Sequence, residues 1–230
     1  MEALKSLLPF FFLLLGFLGN AQQLLKNFYY SFGETKETKI YKFVDQNNTS
    51  EIFYWVMTLD PANQSIRTDA YNKDFVKEDS FYEVLGKRGA KLKEYSVFGK
   101  NFFGFLKEYK AKVLQNKVYA WNEKNPKTYF YEVEYVDQYG KTKFVKSRIF
   151  QRIDTISVQG KEYKAAKFED HYQIDLIDKD DSYGFVQFSY YAEGLGLVKY
   201  RSYVSGAVIN AELVAILSET EFEKLKKSRK

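Results

Sequence analysis

Tyr129, Tyr131, Val133 and Tyr135 occupy every second position of one short segment, with Glu132 and Glu134 between them. Successive side chains of an extended strand point to opposite faces, so this spacing predicts a strand with one dry side and one wet side. Asp137-Gln138-Tyr139-Gly140 supplies a reversal, and residues 141–150 return beside the first strand as a hairpin. A second hairpin pairs 155–158 with 161–168 around Gln159-Gly160, where glycine can take the positive φ of a tight turn. Further strands are predicted at 27–32, 38–44, 51–58, 65–71, 80–85, 91–98, 185–191, 197–203 and 208–217. The 51–58 segment is continuously apolar, which predicts burial on both faces. Between Phe102 and Leu114 the apolar spacing fits either a short helix or strands. Ser218-Glu219-Thr220-Glu221 reads as a capping box that opens a short C-terminal helix carrying Phe222 and Leu225.

Roughly eleven to thirteen strands joined by short turns predict a mainly β fold, a single antiparallel curved sheet. Such a sheet ends as an open half-barrel or a barrel-like closure around an apolar filling, or folds as a sandwich. The composition suits this: 21 Phe, 20 Tyr and 2 Trp make the chain 19% aromatic, and aromatic side chains pack well on pleated surfaces. No repeat or low-complexity linker divides the chain, so residues 22–230 are expected to form one domain.

Residues 1–21 have a different character. Lys5 precedes an almost wholly apolar run from Leu7 to Leu18, and Gly19-Asn20-Ala21 closes it with small residues at the positions read by a leader peptidase. This is the pattern of a signal peptide cut after Ala21. The run is short of the roughly twenty residues that cross a bilayer, and no second one follows, so no transmembrane helix is expected after cleavage. Export to the periplasm, the outer membrane or the cell exterior follows. Without cysteine, the chain has no disulfide framework and no thiol to carry a bacterial lipid anchor. A basic run from Lys224 to Lys230 is expected to be a solvated terminus, and export makes nucleic acid an unsuitable partner.

The residue types that carry catalysis or bind metals are scarce. His171 is the single histidine, and its neighbour Asp170 points to the opposite strand face, so neither a triad nor a zinc site is expected. Glu132 and Glu134 stand about 6.6 Å apart along one face, near the separation of paired hydrolytic carboxylates. Such a face is more simply a solvated one opposite Lys143 or Lys146. Asp175, Asp178, Asp180 and Asp181 are acidic loop residues without the pattern of a calcium loop. Gly194 and Gly196 lack the third glycine and helix of a nucleotide fingerprint and are assigned to backbone geometry. No enzymatic role and no cofactor are expected.

The stretch Tyr190-Tyr191-Ala192-Glu193-Gly194-Leu195-Gly196-Leu197-Val198-Lys199-Tyr200 resembles the closing segment of bacterial envelope proteins with a "YYAxGxGLVK" phrase, and Val158 to Ala165 resembles the hairpin before it. The leader ending Gly-Asn-Ala before Gln22-Gln23 is similar to those of Bacteroidetes secreted proteins. The resemblance implies an envelope protein with an open curved sheet like the lipoprotein-carrier (LolA/LolB) group, and it brings no catalytic residues. The resulting expectation is an exported binding protein that holds a lipid or other amphipathic ligand on the concave face, lined by Tyr129, Tyr131, Val133, Tyr135, Phe185, Phe188 and Tyr190. The alternative is a structural or interaction protein of the envelope with a protein partner and no small ligand. A third reading, an integral outer-membrane barrel, is disfavoured by the charged segment from Glu219 to Lys230.

Overall fold

The computed structural model describes residues 25–122 and 128–228; the expected leader at 1–21 lies outside the described residues. Thirteen strands follow in order: β1 (Glu37–Asp45), β2 (Asn48–Asp60), β3 (Ser65–Tyr71), β4 (Lys77–Gly86), β5 (Gly89–Lys100), β6 (Leu106–Lys110), β7 (Lys112–Ala120), β8 (Thr128–Asp137), β9 (Gly140–Val158), β10 (Lys161–Leu176), β11 (Asp181–Ala192), β12 (Gly196–Val204) and β13 (Ala207–Leu217). One α-helix, α1 (Glu219–Ser228), closes the described residues. Every pairing is antiparallel and joins strands close in sequence, except that β1 also pairs with β13. That seam closes the sheet. β6 and β7 lie along successive lengths of β5, so the ring has twelve positions. Of the two expected forms of curved sheet, the structure takes the closed one. Bulges at Lys42/Phe43, Tyr82/Glu83, Lys167/Phe168 and Tyr190/Tyr191 add the local twist that closure requires.

Several elements differ from expectation for local reasons. The segments at 141–150 and 155–158 are one strand of 19 residues, because no glycine or proline interrupts them. The strand expected at 161–168 continues to Leu176, sixteen residues in all. The region around Phe102 to Asn116 is strand: a turn at Asn101–Phe105 followed by β6 and β7. Residues 27–32 form no strand. A 3-10 turn at Lys26–Phe28 leads an extended stretch into one end of the barrel, where Leu25, Phe28, Tyr29 and Tyr30 are buried. This plug is fixed by Leu25 N–H donating to Trp121 O, Gly194 N–H donating to Asn27 O, and Tyr119 Oη donating to Leu25 O.

The plug makes the two ends of the barrel different. The turns at 61–64, 86–89, 159–160 and 193–195 lie at the plugged end, and those at 46–47, 72–76, 101–105, 138–139, 177–180 and 205–206 lie at the other. The main core gathers below and around the plug, with Tyr41, Phe43, Met57, Tyr119, Trp121 and Phe168 among its buried members. A second cluster lies on the outer wall, where Phe222 of α1 packs on Ile40, Tyr54, Tyr71 and Phe75. It explains the unbroken apolar run in β2: Trp55 and Met57 face the interior while Tyr54 and Val56 face the helix. The capping box is as expected, with Glu221 N–H donating to Ser218 Oγ at 3.3 Å and Ser218 N–H donating to Glu221 Oε2 at 2.7 Å.

The barrel interior as candidate functional site

Antiparallel register stacks the inward side chains in levels across neighbouring strands. Near the plug, Phe150, Phe168, Ser189 and Tyr200 stand opposite one another on β9 to β12. The next level is polar: Tyr129, Arg148, Asp170, Gln187 and Ser202 follow in register from β8 to β12. Above it come Tyr131, Lys146, Tyr172 and Phe185, then Val133, Phe144 and Ile174. The middle level is a connected hydrogen-bond network. Arg148 grips Asp170 through Nε–Oδ1 at 2.6 Å and Nη2–Oδ2 at 2.8 Å. Ser189 Oγ donates to Asp170 Oδ2 at 2.7 Å, Gln187 Nε2 donates to Ser189 Oγ at 2.8 Å, and Ser202 Oγ donates to Gln187 Oε1 at 2.7 Å. Lys146 Nζ approaches Asp170 from the level above at 3.2 Å.

Charge in this interior is stabilised by neighbours rather than by water. Arg148 is 2% exposed and Asp170 fully buried. Burial works against the Asp170 carboxylate, but Arg148 and Lys146 outweigh it and hold the pKa at about 2. Burial lowers Lys146 to about 8, with Asp170 pulling the other way. The Arg148 guanidinium also lies among rings, 4.8 Å from the Tyr191 centroid and 5.1 Å from that of Phe168. Its Nη1 atom has no hydrogen bond of good geometry among the described residues. Across the barrel, Tyr29 of the plug donates its hydroxyl to the buried carboxylate of Glu83, whose pKa burial raises. Nearer the open end, Tyr95 Oη donates to Asp79 at 3.0 Å, and burial raises Asp79 to about 6.

Between these groups the barrel contains a cavity of about 320 Å³. Its polar floor is Glu83, Lys146, Arg148 and Gln187, and its wall is aromatic, with Trp55, Phe81, Tyr95, Phe144, Tyr172 and Phe185. Two ring pairs stand face to face in the wall: Tyr172 with Phe185 at 4.3 Å and Tyr95 with Phe144 at 6.1 Å. The volume is at the small end of the range for ligand pockets, and the mixture of apolar wall and a few convergent polar groups is their usual chemistry.

Of the residues singled out from the sequence, Tyr131 and Phe185 line this cavity. Tyr129 and Val133 are buried on the same strand face, Tyr129 beside Arg148, and Tyr135 lies on that face towards the open end, opposite Thr142. Phe188 and Tyr190 are elsewhere. With Gln187, Ser189 and Tyr191 turned inward, strand alternation turns both away from the cavity; Lys167 Nζ lies 4.7 Å from the Phe188 ring centroid and 5.6 Å from that of Tyr190, and Tyr190 is partly buried against the main core. Glu132 and Glu134 are on the outer face, paired with Lys143 at 3.1 Å and Lys141 at 3.0 Å. His171 is on the outside too, 2.8 Å from Glu169, while its neighbour Asp170 faces the interior. Gly194 and Gly196 have φ of 77° and 78°, and a Cβ on Gly196 would stand 2.3 Å from the Tyr30 ring. Lys146, expected on the solvated face opposite Glu132 and Glu134, instead points inward opposite Tyr131, because it shares the strand parity of Phe144 and Arg148. Asp170 is on the face opposite His171, as alternation predicts, and the inward charges Glu83 and Arg148 were not singled out from the sequence. The signal of an inward charge is a polar residue interrupting an otherwise apolar strand face, as in Phe81–Glu83–Leu85 and Phe168–Asp170–Tyr172.

No family model matches the chain, and no curated protein matches it in sequence. Among solved structures it is similar to a candidate lipoprotein from Parabacteroides distasonis, with a TM-score of 0.52 at 11% identity, covering 83% of this chain and 98% of that one. A candidate exported protein with a YmcC-like fold from Bacteroides fragilis gives a TM-score of 0.47 at 9% identity, covering 83% and 99%. The first match establishes a shared fold.

Proposed function

We propose that this chain is an exported, non-enzymatic binding protein of the bacterial envelope that holds a small amphipathic ligand inside its barrel. The observation that carries the reading is the cavity itself: an aromatic wall above a floor of fixed polar groups. The apolar part of a ligand lies against Phe81, Phe144 and Phe185, and its polar end meets the cations Lys146 and Arg148. Burial of the apolar part supplies about 25 cal/mol per Å². The carboxylates of this interior are engaged by neighbours, Glu83 by Tyr29, Asp79 by Tyr95 and Asp170 by Arg148, which suits holding a ligand rather than transforming it. The leader pattern at 1–21 and the fold shared with a candidate lipoprotein support an envelope location.

The test is a titration of delipidated protein with a fluorescent fatty acid. Saturable uptake of one molecule per chain is expected, weakened in Phe81→Trp, which narrows the cavity, while the melting curve of the variant shows that the barrel is intact. Absence of saturable uptake by the wild-type protein, or uptake unchanged in a folded Phe81→Trp variant, overturns the assignment.

A further inference from the structure

The two ends of the barrel differ in surface chemistry. Among the described residues, no large apolar side chain is exposed at the turns of the plugged end. At the opposite end the β5–β6 hairpin presents Phe102 at 92% exposure, Phe103 at 78% and Phe105 at 71%, with Leu106 half out behind them. Val136 and Tyr139, on the neighbouring β8–β9 hairpin, are exposed at the same end. Three phenylalanines displayed to water at a hairpin tip have no role in packing the domain.

The tip is also a built turn. Asn101 Oδ1 accepts hydrogen bonds from Phe103 N–H and Phe105 N–H, each at 3.0 Å. Asn101 N–H donates to Phe105 O and Gly104 N–H donates to Asn101 O, each at 2.8 Å. Gly104 has φ of 81°, which a side chain would oppose. The Phe102 and Phe103 rings meet edge to face at 5.7 Å. The backbone N–H groups of Asn101, Phe103, Gly104 and Phe105 are therefore satisfied within the turn, and the rings are held outward before anything binds. This reduces two costs of entering an apolar phase, unsatisfied hydrogen bonds and the ordering of a loop.

The flanks are basic. Lys100, Lys107, Lys110 and Lys112 are exposed along the hairpin stems, and the one acid among them, Glu108, accepts a hydrogen bond from Ser96 Oγ at 2.7 Å. Aromatic rings at the apex with ammonium groups a few residues behind match the depth profile of an anionic bilayer, where rings enter the headgroup–acyl boundary and lysines stay at the phosphates. Asp180 and Asp181, on another corner of this end, direct the approach to the hairpin side.

We infer that the β5–β6 hairpin tip is a membrane-docking device that inserts Phe102, Phe103 and Phe105 into the surface of an anionic lipid bilayer. The inference stands on the hairpin and does not require a ligand in the barrel. It does place the open end, towards which the cavity's stacked rings lie, against the lipid.

Sedimentation with vesicles of phosphatidylethanolamine and phosphatidylglycerol tests it. The full wild-type chain is expected to sediment with these vesicles, less so at high salt and less with pure phosphatidylcholine. The triple variant Phe102→Ser/Phe103→Ser/Phe105→Ser is expected to partition about ten-fold or more weakly, with an unchanged melting curve and unchanged fatty-acid uptake. Phe102→Trp should show a blue-shifted emission on vesicle addition. Wild-type protein that stays in the supernatant, or a folded triple variant that sediments like wild type, overturns the inference. So does a wild-type dimer in gel filtration that the triple variant abolishes without any vesicle binding, an outcome that assigns the tip to self-association.

Discussion

The Arg148–Asp170 pair shows what one residue costs in this interior. Removing one partner of a buried, hydrogen-bonded ion pair leaves the other charge without compensation. Asp170→Asn is therefore expected to lower the unfolding free energy by about 3–5 kcal/mol, read from denaturant midpoints. The double variant Arg148→Met/Asp170→Leu should lose less than the sum of its single changes. The same groups set a pH dependence. The Asp170 pKa is about 2 in the fold, below its unfolded value, so its contribution is complete above about pH 4 and is lost as the pH falls towards 2. Lys146 titrates at about 8 in the fold, below the ordinary lysine value, so between those limits the unfolded chain binds more protons and stability rises with pH. Lys146→Met should flatten that rise in melts taken between about pH 8 and 10. These charges were hard to read from the sequence because a polar residue in a strand ordinarily marks the wet face. Phe144, Lys146, Arg148 and Phe150 share one face of β9, and only the register across β10 and β11 shows that the two cations sit inside, next to Asp170.

At the scale of elements, the plug depends on close contact between the β11–β12 turn and the N-terminal stretch. Gly196→Ala brings a methyl group into the Tyr30 ring and places a side chain at positive φ. A loss of about 1–3 kcal/mol is expected, with faster proteolysis N-terminal to Glu37. The cap of α1 is a smaller contributor, and Ser218→Ala should cost about 1 kcal/mol. Most strands were legible because the alternation of β8 and the turns at Gln159-Gly160 and Asp137-Gly140 carry their own chemistry. The plug was not. Asn27 to Phe32 is rich in aromatic side chains, which strands and buried plugs both favour, and nothing local separates the two. Phe188 and Tyr190 do not join Phe185 at the cavity for a related reason: odd and even positions of one strand point to opposite faces, and in β11 the odd ones point inward.

For the molecule as a whole, buried tyrosines govern its response to alkali. Tyr29, Tyr30, Tyr95, Tyr119 and Tyr172 all have pKa values raised well above 10, with burial the largest cause. Their protons are kept by the fold and released by the unfolded chain, so the tyrosines' contribution to stability is full below about pH 10 and falls as the pH rises beyond it. Unfolding followed by tyrosinate absorbance should be one cooperative step; a gradual rise with the barrel still folded would contradict the burial of these hydroxyls. The β1–β13 seam also constrains how the chain comes to be made. Neighbouring strands can zip onto each other as they emerge, yet β1 waits for its second partner until the twelve strands after it have been delivered. A chain stopped short of Ala207 would keep raw hydrogen-bonding edges on both β1 and β12. Interrupted synthesis or secretion of this barrel should therefore yield aggregates instead of smaller, soluble fragments.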